Sequence, residues 1–436
     1  MNLLVAAKKK FNFFLKLSVG EKLLVGMLIF LPLERLLTVD ISYYTVKVSY
    51  LLALALVIFF GLRIFCGREK ITLEWNELIL LLFIAFSFMS VCWSLDRGRS
   101  IIVSSLYLFM ALIFYIVKRM VKLAKREFYL DVIWMMGVLT SLFALWQFVA
   151  DGIGLSQSFS FLRNAYIKDV FGFPRVQSTF LEPLYFANFL LFPLLITFYR
   201  IVRRPQIVYF LGLFLMTMAL FFTVSRGGII AFAFGTLAFL VIQFCQYRKH
   251  WRRGLLILLV IVLAIGAVLG MIRLVSKGGV YFFLRHTSDN EVVDAIKTKK
   301  ISPKVKLYDR SFTIPVALRE ITEHKMGLGA GAFGALSDFA QIRAAGRYQI
   351  VNNLYLEVLV ENGIIGALLF AVFLLLIFIS SFDLLRRRDL RGIALILGIA
   401  AIFIQYISFS NLNILYLWVF LALCLSCSRQ PKVIGK

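Results

Sequence analysis

A chain of 436 residues that is 61% hydrophobic and 16% charged, with mean hydropathy +0.88, lies far from the composition of a soluble domain. The formal net charge of +25 would point to nucleic acid in a soluble protein. Here much of it falls between apolar segments, where it reports topology, so no nucleic-acid partner is expected.

The apolar pattern predicts an all-α polytopic membrane protein with spans at 22–38, 42–62, 77–94, 101–117, 129–150, 182–199, 207–224, 228–246, 254–275, 364–383, 392–409 and 412–427. Lysines precede the first segment, but Pro32, Glu34 and Arg35 and the lack of a small-x-small site mark it as a retained helix, not a signal peptide. Short basic gaps follow at every second connection, all on one side. They hold Arg63/Arg68/Lys70, Lys118/Arg119/Lys122/Lys125/Arg126, Arg200/Arg203/Arg204, Arg248/Lys249/Arg252/Arg253 and Arg386/Arg387/Arg388/Arg391, and Arg429/Lys432/Lys436 end the chain. An excess of Lys and Arg marks the cytoplasmic side, so both termini are expected there. The outer side receives short turns at 39–41, 225–227 and 410–411, a small one with Arg97 and Arg99, and the long loops 151–181 and 276–351. Three regions result: helices at 1–275, a loop at 276–363 and closing helices at 364–436. The five cysteines lie in or beside apolar segments, so a disulfide framework is not expected, and the Cys424-x-x-Cys427 pair is read as incidental.

Chemistry is sought where polar groups face outward. Thr223-Val224-Ser225-Arg226-Gly227-Gly228 is a tight reversal that pins Arg226 at the outer boundary, as a snorkelling anchor or as a ligand for an anion. Arg175 to Asn188 runs from a loop into a helix. Pro183 suits the first turn and sets Glu182 at the positive end of the dipole, as a cap or as a base. From Asp309 and Arg310 the chain runs through Arg319 to Gly327-Leu328-Gly329-Ala330-Gly331-Ala332-Phe333-Gly334. The GxGxxG within it is a decoy, because no strand and helix of a dinucleotide fold surround it; a close backbone approach to helix ends or a ligand is the expected use. Val351-Asn352-Asn353-Leu354-Tyr355-Leu356-Glu357 to Glu361-Asn362-Gly363-Ile364-Ile365-Gly366 reads as a short interfacial helix stopped by Gly363 and followed by a span. His286 and His324 are isolated in sequence, and the loop acids Asp289, Glu291 and Asp294 are loosely spaced, so no metal is expected.

In order and spacing these four stretches resemble the O-antigen ligase and polymerase superfamily of bacterial envelope glycan enzymes. The resemblance rests on Ser225-Arg226-Gly227, Arg310, Gly327 to Gly331 and Asn352-Asn353-Leu354-Tyr355-Leu356 with Glu361-Asn362-Gly363-Ile364-Ile365-Gly366, and covers roughly 175–370. It implies a multi-pass protein of the bacterial inner membrane, similar to glycosyltransferases of the GT-C type. It also implies transfer of a glycan from an undecaprenyl-pyrophosphate donor to a glycan acceptor on the outer face, without nucleotide, metal or other cofactor, and a chain-length regulator as a partner. Arg226 and Arg310 would then stabilise the leaving pyrophosphate, with Arg175 and Arg319 in reserve. Glu182 would take or orient the acceptor proton while Asn352 positions it. Asn353, Tyr355, Gly329 and Gly331 would contact substrate.

Asn352 stands where ligases of the family carry a histidine, and an amide cannot take a proton near neutral pH. Ser178-Thr179-Phe180-Leu181-Glu182-Pro183 resembles a Phe-x-Glu-Pro stretch of the polymerases, which points to that side. The rival classes are a ligase acting on a lipid A-core acceptor, a transporter or flippase, and a scaffold. A transporter would carry ionisable groups deep in its spans or helices broken by glycine or proline, for which Pro32, Glu34, Arg35 and Pro193 are the few candidates.

Overall fold

The structure, a computed structural model, describes residues 13–35, 38–41, 44–168, 172–247, 250–276, 310–344 and 347–428. Its helices are α1 (Val19–Phe30), α2 (Val48–Phe65), α3 (Trp75–Met89), α4 (Arg97–Met120), α5 (Arg126–Gly152), α6 (Pro183–Arg203), α7 (Ile207–Phe222), α8 (Arg226–Gln246), α9 (Trp251–Val275), α10 (Arg310–Glu323), α11 (Leu354–Arg386), α12 (Leu390–Gln405) and α13 (Leu415–Ser428), besides shorter turns. Among the described residues eight helices are long and apolar enough to cross a bilayer, and α7, α12 and α13 are shorter apolar helices. The protein is an all-α polytopic membrane protein.

Each predicted apolar segment corresponds to one of these helices, but the first departs from its predicted limits. α1 ends at Phe30, and its 12 residues cover about 18 Å of a hydrocarbon layer about 30 Å thick. Pro32 lacks an N–H to continue the ladder. The chain then runs through a small antiparallel ribbon, β1 (Val39–Ile41) and β2 (Tyr44–Val46), pairing Val39 with Val46 and Ile41 with Tyr44. This replaces the bare turn expected at 39–41 and delays α2 to Val48; β-branched Val39, Ile41, Thr45 and Val46 suit a ribbon better than helix ends.

α6 lies at the centre. It is almost wholly buried, and it packs against α12, α7, α5 and α8. Phe192 of α6 stacks on Phe420 of α13 with ring centroids 4.1 Å apart, and Phe148 of α5 stacks on Phe222 of α7 at 3.9 Å. Such pairs add about 1 kcal/mol each beyond burial. On α2, α8, α9 and α11, Leu62, Leu237, Val262 and Leu368 point outward, as side chains facing lipid do.

The bundle has two chemically different ends. At the basic end, cations of the short gaps hold helices together. Buried Lys118 donates to Glu74, Asn76 and Glu77 at 2.9–3.0 Å. Arg200 binds Glu127 and Asp131, Arg391 also binds Glu127, and Lys125 binds Glu21. At the opposite end, four sequence motifs meet.

Candidate active site

The turn between α7 and α8 is built with strain. Val224 takes φ 52°, a left-handed conformation that a β-branched residue rarely adopts. Thr223 Oγ1 accepts from Ser225 N, and Ser225 Oγ caps α8 by accepting from Gly228 N. Arg226 is thereby the first residue of α8, and it is exposed. A cation there works against the helix dipole, so the position suits a bound anion.

The segment from Arg175 to Pro183 packs against this turn. Arg175 Nε donates to Thr223 O at 2.7 Å, and Val176 N donates to Phe222 O at 3.1 Å. Together they serve the carbonyls at the end of α7. Glu34, buried and ion-paired to Lys47 at 2.6 Å, accepts from Leu181 N. Arg35 N donates to Thr179 O, and Thr179 Oγ1 donates to Pro32 O. Glu34 and Arg35, weighed at the sequence level as transport residues, therefore fasten the chain before the ribbon to the entrance of α6.

Glu182 occupies the N-cap of α6, yet its side chain makes no capping hydrogen bond. Burial pushes its carboxyl above the usual 4.5, partly offset by the cations Arg163 and Arg175, while Glu34 adds to the rise. The carboxylate is thus half-buried, does not cap its helix and lies in the field of two guanidinium groups.

A polar network joins α6 to the Arg226 turn. Gln405, fully buried at the end of α12, donates to Leu184 O at 3.1 Å and to Ser225 Oγ at 3.3 Å. Its Oε1 accepts from Asn188, whose Oδ1 accepts from Tyr416. The connection beyond Gln405 reaches the fourth motif. Leu354 N donates to Tyr406 O, Asn353 Nδ2 to Ile407 O, Tyr355 Oη to Phe403 O and Ser410 Oγ to Glu357. Residues 403–411 thus tie Ser225-Arg226, the start of α6 and the start of α11 into one surface. Neither Gln405 nor this connection was singled out from sequence, where 410–411 reads only as a short turn; an amide at the last residue of an apolar helix was the available signal.

Asn353 accepts from Leu356 N and caps α11, while Asn352 before it takes φ 60° with its amide making no hydrogen bond among the described residues. Tyr355 is engaged through its hydroxyl, which leaves its ring edge for contact. Arg310 is the first residue of α10, and its side chain lies outside the described residues, as do His286, Asp289, Glu291, Asp294 and Asp309.

The glycine-rich loop is a packing device. Leu328 N and Gly329 N donate to Val360 O and Glu361 O, and Ile364 N donates back to Lys325 O. The Glu361 carboxylate accepts from Gly331 N at 2.7 Å and Phe333 N at 3.3 Å. Gly329 (φ 98°) and Gly331 (φ 73°) sit where an added Cβ would collide with Ser94 and Val103. Gly363 (φ 63°, ψ −171°) breaks α11. Gly329 and Gly331 thus press backbone against helix ends, not against an open pocket. Arg319 is spent on Glu320 and Asp338, at 2.7 and 2.8 Å. His324 is not isolated as its place in the sequence suggests: it lies 3.5 Å from Glu320, and with Glu323 the three could share an ion. The helical spacing 320, 323, 324 brings them to one face.

Residues 211–371 match the Wzy_C family model, described as O-antigen ligase. No curated protein matches the chain. The matched stretch runs from α7 through the Arg226 turn, α10 and the glycine-rich loop to the broken start of α11. The match covers little more than a third of the chain, and it supports the resemblance to the O-antigen ligase and polymerase superfamily of membrane glycosyltransferases.

Proposed function

We propose that the protein elongates a polysaccharide, moving a glycan from an undecaprenyl-pyrophosphate donor onto the hydroxyl of a second glycan at the outer face of the bacterial inner membrane. The acceptor oxygen attacks the anomeric carbon, the bond from that carbon to the pyrophosphate oxygen breaks with its electron pair leaving on the pyrophosphate, and the hydroxyl proton passes to Glu182. Arg226 stabilises the charge growing on the leaving group, with Arg310 as its partner and Arg175 at the adjoining edge. Asn352 orients the acceptor through its amide. No nucleotide, metal or other cofactor enters this reading.

The observation that carries the proposal is Glu182, a half-buried carboxylate without a capping bond in the field of Arg163 and Arg175, at the start of a helix that Gln405 joins to the Arg226 turn through Leu184 O and Ser225 Oγ. The test is incubation of purified protein with a lipid-linked repeat unit, followed by separation of products by length. A ladder is expected. A single addition onto a lipid A-core acceptor with no ladder would replace the polymerase by the ligase that the family description names. Delivery of intact donor across vesicles without a new glycosidic bond would favour the transporter.

A further inference from the structure

The far end of the molecule carries a second site. A cavity of about 420 Å³ opens at the basic end between the residues preceding α1, the end of α2 and the end of α4. Five cations line it, Lys16, Arg63, Arg119, Lys122 and Lys125, against the two carboxylates Glu21 and Glu69. Both carboxylates are already neutralised, by Lys125 at 2.6 Å and Arg63 at 2.8 Å. Arg119 is held by Glu77. Lys16 and Lys122 make no ion pair among the described residues, so the cavity keeps an excess of positive charge. Leu17, Phe59, Phe60 and Met120 give it an apolar wall.

Phe60 also lines an apolar groove of about 280 Å³ between α2, α3 and α4, with Ile64, Leu80, Leu81, Leu108 and Leu112. Its one carboxylate among the lining residues, Glu77, is taken by Lys118 and Arg119. The groove meets the basic cavity at Phe60 and follows α4 towards the middle of the bundle: α4 reaches the cavity with Arg119 and Met120 and lines the groove with Leu108 to Ile116, while α2 lines both with residues 57–64. A charged pocket at interface depth that continues into an apolar cleft has the two-part chemistry of a phospholipid.

We propose that this is a binding site for an anionic phospholipid, with its phosphate among Lys16, Lys122 and Arg119 and an acyl chain along the α2, α3 and α4 groove. It is separate from the glycan site, which occupies the opposite end. Two variants test the two parts. Lys16→Gln with Lys122→Gln removes the excess charge. Gly61→Phe fills the groove, since a Cβ at Gly61 meets no atom within 4 Å and the ring therefore enters empty space. The full-length protein is purified, stripped of lipid and titrated with phosphatidylglycerol, with native mass spectrometry counting bound lipid and thermal unfolding confirming the fold. Loss of the two interfacial lysines is expected to weaken binding about tenfold or more, and Gly61→Phe is expected to weaken it as well. Arg204→Gln with Arg252→Gln, the same charge loss elsewhere at that end, should leave the affinity at the wild-type value. Wild-type phosphatidylglycerol affinity in either test variant, equal affinity for phosphatidylcholine, or full displacement by millimolar inorganic phosphate would overturn the proposal.

Discussion

Asn352 shows how one backbone constraint narrows the chemistry of a position. Its φ of 60° lies in the left-handed region, where asparagine and histidine are both enriched among non-glycine residues, so the backbone accepts the family histidine without rearrangement. The expected consequence is that Asn352→His folds normally and gains transfer to a ligase-type acceptor, measured by thermal unfolding and by product identity. For Arg226, loss of one preorganised donor costs on the order of 3 kcal/mol, or about a hundredfold in rate. Arg226→Ala should show that loss, and Arg226→Lys should recover little, because an ammonium cannot replace a planar fork; near-normal turnover in a well-expressed Arg226→Ala protein would remove it from the mechanism. Glu182 adds a pH test. Burial raises its pKa above 4.5, so the base form, and with it turnover, should be lost as pH falls through a value above that of a free carboxyl. Glu182→Gln should abolish turnover at every pH. A raised carboxyl pKa favours the protonated form in the folded state, a contribution present at low pH and lost as pH rises through the folded value. Glu182→Gln is therefore expected to be no less heat-stable than the wild type at pH 7, whereas a required helix cap would make it weaker by about 1 kcal/mol.

At the scale of elements, the site depends on parts that carry no charge. Gln405 serves Leu184 O, Ser225 and Asn188 at once, and leaving a buried polar group unpaired costs about 1–3 kcal/mol. Gln405→Leu should lower the unfolding temperature and slow transfer together, because it loosens both Arg226 and the start of α6. Glu361→Ala should act elsewhere: it orphans Gly331 N and Phe333 N, and the expected result is faster proteolysis of 325–340. The helices, the tight turn at Ser225 to Gly227 and the break at Gly363 were legible in the sequence, because apolar length, glycine and proline act locally. The roles of Gln405, Glu34 and Arg163 were not. Each acts through a partner more than a hundred residues away or through the field of a neighbouring loop, and a buried glutamine at a helix end has the same local pattern as an exposed one. The ribbon at 39–46 was hidden for a different reason: a short β-branched run beside apolar helices has the hydropathy of a span end.

For the whole molecule, the separation of a basic end from a motif end is a statement about membrane orientation. The apolar helices alternate, so every short basic gap falls at one end and the Arg226 turn, Glu182 and Asn352 at the other. Lys and Arg are retained on the cytoplasmic side, which would place both termini inside and the glycan site outside. The native cysteines supply the test. Cys92 follows α3 at the motif end, while Cys66 caps α2 and Cys245 lies in the last turn of α8, both at the basic end, and all three are exposed. With the other cysteines replaced, a membrane-impermeant maleimide added to intact cells should label Cys92, and should label Cys66 and Cys245 only after permeabilisation. A cysteine introduced at Ser158, exposed in the loop between α5 and α6, should behave as Cys92 does. The position Thr298 in the longer loop, outside the described residues, is expected to follow it. Labelling of Cys66 in intact cells with protection of Ser158→Cys would invert the orientation, and would place Arg226 and Glu182 on the side away from any outer-face glycan acceptor.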